Sequence, residues 1–436
     1  MDSILDAIIA GQPEEALIRL WVKAEATVEG AKQASIWQTR HPQRTPLKVQ
    51  FHDWLEDPHP DYRQAIAQDP LALFEALDTH LHQQGRDWSR VIPTLQIEGT
   101  PYALIRRAFP RNTSARSQPP NPGVWCRHHN VIPLAIAVGN SRVDISVVPV
   151  DRVPPNMVRE INCRLSHFND QVLLLIEEDT LRGSFLATGL SDENLRRKTL
   201  IGEMEQCARD RIHLWVAPEL TAPLSLQDEV GRRLAAMNPQ DLLLGVPGTF
   251  HWQDANGNRH NTAQVFNGNG SRLPKQHKLT QFSYRKSDEA TSFHEDILAS
   301  RCITLLNTPL GLVGVAICKD FSDASAVEIK AAWDLIAPDW MLVPSCGDSA
   351  KTLKLHHQRA EEHWTLRAIR SLVANQELSF ERNGRRVTDD SVPGFLWAAE
   401  QAQPADAGGS TLTTNLPQDA PQVRPATAQP KLQRIK

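Results

Sequence analysis

From residue 185 onward the sequence alternates short apolar runs of strand length with longer helical stretches, and this constrains the fold more than any other feature. Ser191-Asp-Glu-Asn opens a helix expected to run to about Asp210, with Asp192 and Glu193 suiting its positive N-terminus. Leu214-Trp-Val-Ala reads as a strand ending at Pro218-Glu219. A second helix, Leu226 to Met237 with Ser225 as its N-cap, leads to the strand Leu242-Leu-Leu-Gly-Val. Thr262-Ala-Gln-Val-Phe enters a Gly-Asn-Gly turn and reads as a hairpin. Gly311-Leu-Val-Gly-Val-Ala-Ile-Cys and Trp340-Met-Leu-Val are further buried strands, separated by a helix over about 323–336. A longer helix is expected over about 350–373. Repeated strand–helix units of this kind build an α/β protein.

The remainder of the 436 residues reads differently. Ile4, Ile8 and Ile9, then Ala16, Leu17, Leu20 and Trp21, recur at helical spacing, and another helical stretch lies near Pro70-Leu-Ala-Leu-Phe. Between about 92 and 156 prolines are frequent, and Arg111 to Gly123 reads as a linker by composition. Val131 to Val138, Val143 to Val150 and Val172 to Ile176 are strand-like. Beyond about 400 the chain holds five prolines and many Ala, Gln and Thr, so that tail is expected to be disordered.

Composition excludes several classes. The net charge of −4 leaves no electrostatic footprint for nucleic acid. No apolar run approaches the roughly 18 residues of a membrane span. The first residues, Met1-Asp-Ser-Ile-Leu-Asp, carry acid where a secretory signal needs base. The six cysteines are scattered, with no Cys-x-x-Cys pair, so they are expected to be free thiols in a reducing cytoplasm.

Three residues carry chemistry. Cys318 ends an apolar strand and is followed at once by Lys319 and Asp320, at the carboxyl end of a sheet, where active sites collect. Glu219 holds the equivalent place on another strand between Pro218 and Pro223, where desolvation would make it a base for a thiol. Lys278, in Pro274-Lys-Gln-His-Lys-Leu, could lower a thiol pKa or hold an oxyanion, with Lys275 competing for that role. Taken singly, each has a bland reading: an inert buried cysteine, a helix-capping glutamate, a surface lysine. Cys126-x-His128-His129 and Cys163-x3-His167 could supply zinc ligands, but the intervals fit no standard finger, and no metal is expected.

Together, Glu219 in Val-Ala-Pro-Glu, Lys278 after a hairpin and Cys318 in Gly-Val-Ala-Ile-Cys-Lys-Asp resemble the nitrilase superfamily of carbon–nitrogen hydrolases. The interval from Asn261 to Lys278 favours Lys278 over Lys275 in that register; Val343-Pro-Ser and Arg367-Ala-Ile-Arg-Ser-Leu-Val-Ala-Asn match later segments of the family, and the likeness covers roughly 185–400. It implies a four-layer α-β-β-α sandwich over 121–400, preceded over 1–120 by a mostly helical extension and linker and followed by the tail 401–436. It also implies a Glu219-Lys278-Cys318 triad cleaving an amide, or a nitrile, through a thioester, with the Lys319 N–H as an oxyanion donor and no cofactor. A second glutamate is commonly placed between lysine and cysteine; Glu295 is the candidate, with Glu289 behind it. The expected partners are a small amide-type substrate, a second copy of the chain in a homodimer or higher oligomer, and a protein partner for the N-terminal extension. The alternatives are acyl transfer to an amine, or a partner-dependent module without catalysis. Two features depart from the family: Lys319 stands where an aromatic or small residue is common, and the first strand is placed either near Val172–Ile176 or near Phe185–Gly189.

Overall fold

The structure, a computed structural model, describes residues 2–26, 55, 70–85, 91–108, 126–138, 141–150, 160–166, 168, 174–285, 292–322, 327–347, 370–376, 381–382, 385–386, 394–398, 401–404 and 410–415. The N-terminal part contributes α1 (Asp2–Ile9), α2 (Pro13–Ala26) and α3 (Pro70–Gln84), then β1 (Thr94–Ile97), β2 (Thr100–Arg106) and β3 (His129–Pro133). The next strands are β4 (Ala135–Val138), β5 (Ser141–Pro149), β6 (Glu160–Leu165), β7 (Leu174–Asp179) and β8 (Ser184–Leu190). Then come α4 (Glu193–Arg209), β9 (Leu214–Val216), α5 (Leu224–Met237), β10 (Leu244–Val246), β11 (Thr249–Gln253), β12 (Arg259–Ala263), β13 (Gln276–His277), β14 (Ser283–Arg285) and β15 (Ser292–Glu295). The chain continues through β16 (Cys302–Thr308), β17 (Gly311–Val315), α6 (Lys319–Ser322), α7 (Val327–Ile336), β18 (Trp340–Cys346) and β19 (Arg370–Gln376). A two-residue hairpin, β20 (Glu381–Arg382) with β21 (Arg385–Arg386), precedes β22 (Gly394–Ala398), β23 (Gln401–Pro404) and β24 (Ser410–Asn415).

Two sheets face each other. One has eight strands in the order β23-β22-β19-β18-β17-β16-β5-β4, the other four in the order β10-β9-β6-β24. Strand alternation decides what fills each layer. In β18, Trp340 and Leu342 join Leu214 and Val216 of β9 in the core between the sheets. The alternate residues Met341 and Val343 pack outward with Trp333 and Ile336 of α7. On the opposite side Trp215 of β9 meets Leu200 and Met204 of α4 and Leu226 and Val230 of α5. The layers are therefore helix, sheet, sheet, helix.

A further layer covers α7. Leu104 of β2 and Val131 of β3 pack with α1, α2 and α3, whereas Ala103, Ile105 and Ile132 pack toward α7. Polar contacts lock this joint. Arg107 Nη2 donates to Ala337 O at 3.3 Å and Nη1 approaches Asp339 Oδ1 at 3.5 Å, while Asn130 Nδ2 donates to Ile336 O. Asp339 Oδ2 also accepts from the Leu312 N–H at 2.8 Å.

Several sequence expectations change. The stretch 1–120 is not only helix and linker: β1 and β2 lie within it, and β2 pairs with β3 across position 120. The tail contains β23 and β24, and β24 runs along β6 with Leu412 opposite Cys163. Its Ser-Thr-Leu-Thr-Thr segment suits an edge strand, a signal diluted by the proline-rich average around it. Neither stretch offered as the first strand lies in the two facing sheets. β9 lies between two parallel neighbours, β10 and β6, with Cys163 of β6 opposite Leu214, while Leu174–Asp179 and Ser184–Leu190 pair with each other in a separate sheet. Ser225 lies inside the first turn of α5, whose N-cap is Pro223. The helix expected over about 350–373 lies outside the described residues up to 369, and Arg370 begins a strand. No helix among the described residues is long and apolar enough to cross a membrane.

Replacing Asp339 with Ala leaves the Arg107 guanidinium buried without its carboxylate and the Leu312 N–H without its acceptor. Asp339→Ala is expected to lower unfolding free energy by about 3 kcal/mol. An unchanged denaturant midpoint would show that this joint contributes nothing.

Candidate active site

Four buried side chains converge where strands of both sheets end. Glu219 lies three residues beyond β9, and its N–H donates to Ser345 O of β18 at 3.2 Å, so its loop is tied to the facing sheet. Leu220 turns through φ +55° and donates its N–H to Thr249 Oγ1 at 3.2 Å. Gly248 backs this loop at φ +105°, and a Cβ there would stand 2.4 Å from Thr221 Oγ1 and 2.7 Å from Pro218 O. Only glycine fits that contact.

Lys278 follows β13, and its N–H donates to Asn261 O at 2.8 Å. Cys318 sits between β17 and α6 at φ +51°, a conformation strained for a side-chain-bearing residue and frequent where a nucleophile is presented. Its N–H donates to Pro344 O at 2.9 Å, and its Sγ lies 3.6 Å from Cys346 O. Asp320 accepts from the Leu279 N–H at 3.0 and 3.1 Å and from the Ile317 N–H at 3.3 Å, which joins the cysteine turn to the lysine segment. Glu295 ends β15.

Lys278 Nζ donates to Glu219 Oε1 at 2.8 Å and to Glu295 Oε2 at 2.7 Å. Asn261 Nδ2 spans the same two acids, 2.9 Å from Glu219 Oε1 and 3.0 Å from Glu295 Oε1. Glu295 accepts two more bonds: the Phe282 N–H donates to Oε2 at 2.9 Å, and His251 Nε2 lies 2.7 Å from Oε1. The His251 proton can be assigned from its partners. Its Nδ1 accepts the Ala187 N–H at 2.8 Å, so the neutral ring carries its proton on Nε2 and donates it to Glu295.

These contacts separate the two acids. Burial favours a neutral Glu295, but Lys278 and the His251 hydrogen bond outweigh it and hold its pKa well below the usual carboxylate range. Glu219 has fewer donors; burial pushes its pKa up, Lys278 opposes this, the Glu295 charge adds to it, and the net is a raised value. Burial also works against the Lys278 ammonium, yet Glu219 and Glu295 hold its pKa well above normal. Burial, then the Glu219 charge, push the Cys318 thiol up to about 12, with Lys278 opposing. Burial also lifts Asp320 to about 7. A thiol with so high a pKa holds no standing thiolate near neutrality, so it needs a base during attack. Glu219, whose charge acts directly on Cys318, is placed to serve.

The structure brings Glu219, Lys278, Cys318 and Glu295 together. It places Lys275 elsewhere, with Nζ 4.2 Å from the centre of the Trp252 ring. The Lys319 side chain is turned to Phe282, 5.5 Å from the ring centre. Glu289 and His167 lie outside the described residues. Cys126 and Cys163 are buried in different cores, and His129 Nδ1 is 2.8 Å from Asp78 Oδ1. Among the described residues no group of three or more His, Cys, Asp and Glu is arranged to hold a metal ion. Sequence reasoning missed His251 and Asp320 as site groups and used Asn261 only to set register. A histidine within a strand carries no local signal of a partner 44 positions away.

No protein-family model and no curated protein sequence matches the chain. Among solved structures the chain is similar to an amidase from Nesterenkonia sp., at 15% identity and TM-score 0.40, covering 61% of this chain and 93% of that one. It is also similar to Nit3 of Saccharomyces cerevisiae, a member of branch 10 of the nitrilase superfamily, at 15% identity and TM-score 0.42, covering 62% and 94%. A third is a glutamine-dependent NAD+ synthetase from Acinetobacter baumannii, at 15% identity and TM-score 0.44, covering 62% of this chain and 49% of that one.

Neutralising Glu219 removes a charge that raises the Cys318 pKa. In Glu219→Gln the midpoint of Cys318 alkylation by iodoacetamide, followed against pH by peptide mass spectrometry, is expected to fall by about one unit or more. A midpoint that rises would contradict this arrangement.

Proposed function

We propose that this chain is a nitrilase-like thiol hydrolase that cleaves a non-peptide amide through a thioester on Cys318. One observation carries the reading: a buried Glu219–Lys278–Glu295 hydrogen-bond cluster adjoins a cysteine held in a left-handed turn. The α-β-β-α layering and the chain order of the three residues support it.

In the first half-reaction Glu219 takes the Sγ proton as sulfur bonds to the carbonyl carbon. The carbonyl oxygen becomes an oxyanion and is held by Lys278 Nζ and the Lys319 N–H. Because Glu295 anchors the same ammonium, Lys278 keeps its position and charge while the Glu219 proton comes and goes. The proton on Glu219 then passes to the leaving nitrogen, the carbon–nitrogen bond breaks, and ammonia or an amine departs from a Cys318 thioester. Water loses a proton to Glu219 as it attacks that thioester. Collapse of the second intermediate releases the acid and returns the proton to sulfur.

Ammonia release from a panel of simple amides tests this. Cys318→Ala, Glu219→Gln and Lys278→Met are each expected to lower kcat/KM by about 10³ or more, because members of one catalytic unit fail together. Turnover persisting in Cys318→Ala would overturn the assignment.

A further inference from the structure

One wall of the site is a sheet apart from the two main ones, in the order β14-β15-β8-β7. Its alternation is informative. Leu174 and Ile176 of β7, Phe185 and Ala187 of β8, and Phe282 and Tyr284 at β14 are spaced two apart, and each pair lines the pocket that holds Glu219, Lys278 and Glu295. Phe185 lies directly opposite Glu295 in the parallel pair of β8 with β15. The site-facing side of this sheet is thus apolar except at Glu295, whose oxygens already accept four hydrogen bonds, and at the exposed Glu178, which lies opposite Phe185 in the β7–β8 pair. The rings pack on one another, with Phe185 and Tyr284 centroids 5.1 Å apart and those of Phe282 and Tyr284 6.3 Å apart. The Tyr284 hydroxyl donates to Glu178 Oε1 at 2.5 Å, outside the lining set.

We infer that this sheet face is an acyl-group pocket, and that the substrate is an amide whose acyl chain is apolar and uncharged. The inference rests on the amide-hydrolase reading and adds the substrate class. A carboxylate on the acyl chain would lose its water against Leu174, Ile176, Phe185 and Phe282, beside two acids that share one lysine. The competing cations are Arg196 at the first turn of α4, which stacks on Phe168 at 3.7 Å, and Lys319, whose ammonium stands 5.5 Å from the Phe282 ring centre; neither lines the pocket. An anionic acyl group would need one of these two charges.

Binding to Cys318→Ala by calorimetry separates the pocket from the chemistry. Butyramide and succinamate have four carbons each and differ by a terminal carboxylate. The expected result is at least 100-fold tighter binding of butyramide, with Ala187→Leu, made on the same background, weakening hexanamide at least tenfold more than propionamide. Equal or tighter binding of succinamate, lost in Arg196→Met or in Lys319→Met, would overturn the inference in favour of an anion site. Equal weakening of all amides by Ala187→Leu, or no binding of any, would also overturn it. If butyramide binds Cys318→Ala but the wild-type chain neither cleaves nor is acylated by any amide, the pocket stands and the hydrolase reading falls.

Discussion

The Lys278 ammonium, buried between Glu219 and Glu295, is the contact on which the rest of the site depends. A buried cation is costly unless it is closely paired, and two carboxylates around one lysine leave an excess of one negative charge. The fold resolves this by inequality. Glu295 is surrounded by donors from β11, β12, the loop after Lys278 and Lys278 itself, and stays ionised. Among the described residues Glu219 receives Asn261 and Lys278 on Oε1, and burial with the Glu295 charge raises its proton affinity above that of an ordinary glutamate. Two chemically identical groups thus acquire different roles through the number of donors each meets.

This arrangement requires both sheets to be correctly registered. Glu219 comes from the four-stranded sheet and Cys318 from the eight-stranded one, and the bonds from the Glu219 N–H to Ser345 O and from the Cys318 N–H to Pro344 O bring both onto β18. The apolar contacts between Trp340, Leu342, Leu214 and Val216 hold the sheets at that spacing. The separate β14-β15-β8-β7 sheet then supplies Glu295 and the apolar wall in one element. The N-terminal helices act at a distance, through β2 and β3 onto α7 and Asp339.

Residues with strong local context were legible in the sequence. Cys318 and Glu219 stand at the ends of apolar runs, so period and punctuation marked them, whereas Lys278 was separated from Lys275 only by the register of the family resemblance. The α/β class followed from strand–helix alternation, and the layer order from the resemblance to the nitrilase superfamily. β6 escaped because it alternates: Ile161, Cys163 and Leu165 face the core, while Arg164 turns out to Glu203 at 2.6 Å, and no continuous apolar run marks it. β1, β2 and β24 escaped because proline-rich surroundings masked short strands. His251, Asn261 and Asp320 escaped because their roles lie in contacts between segments far apart in sequence.

The unequal acids are tested most directly by the acid limb of the pH dependence of kcat/KM, which reports the base of the free enzyme. If Glu219 is that base, the limb lies above the ordinary glutamate value of 4.5 and vanishes with the activity in Glu219→Gln. A limb at or below 4.5, or one that persists unchanged in Glu219→Gln, would contradict the account.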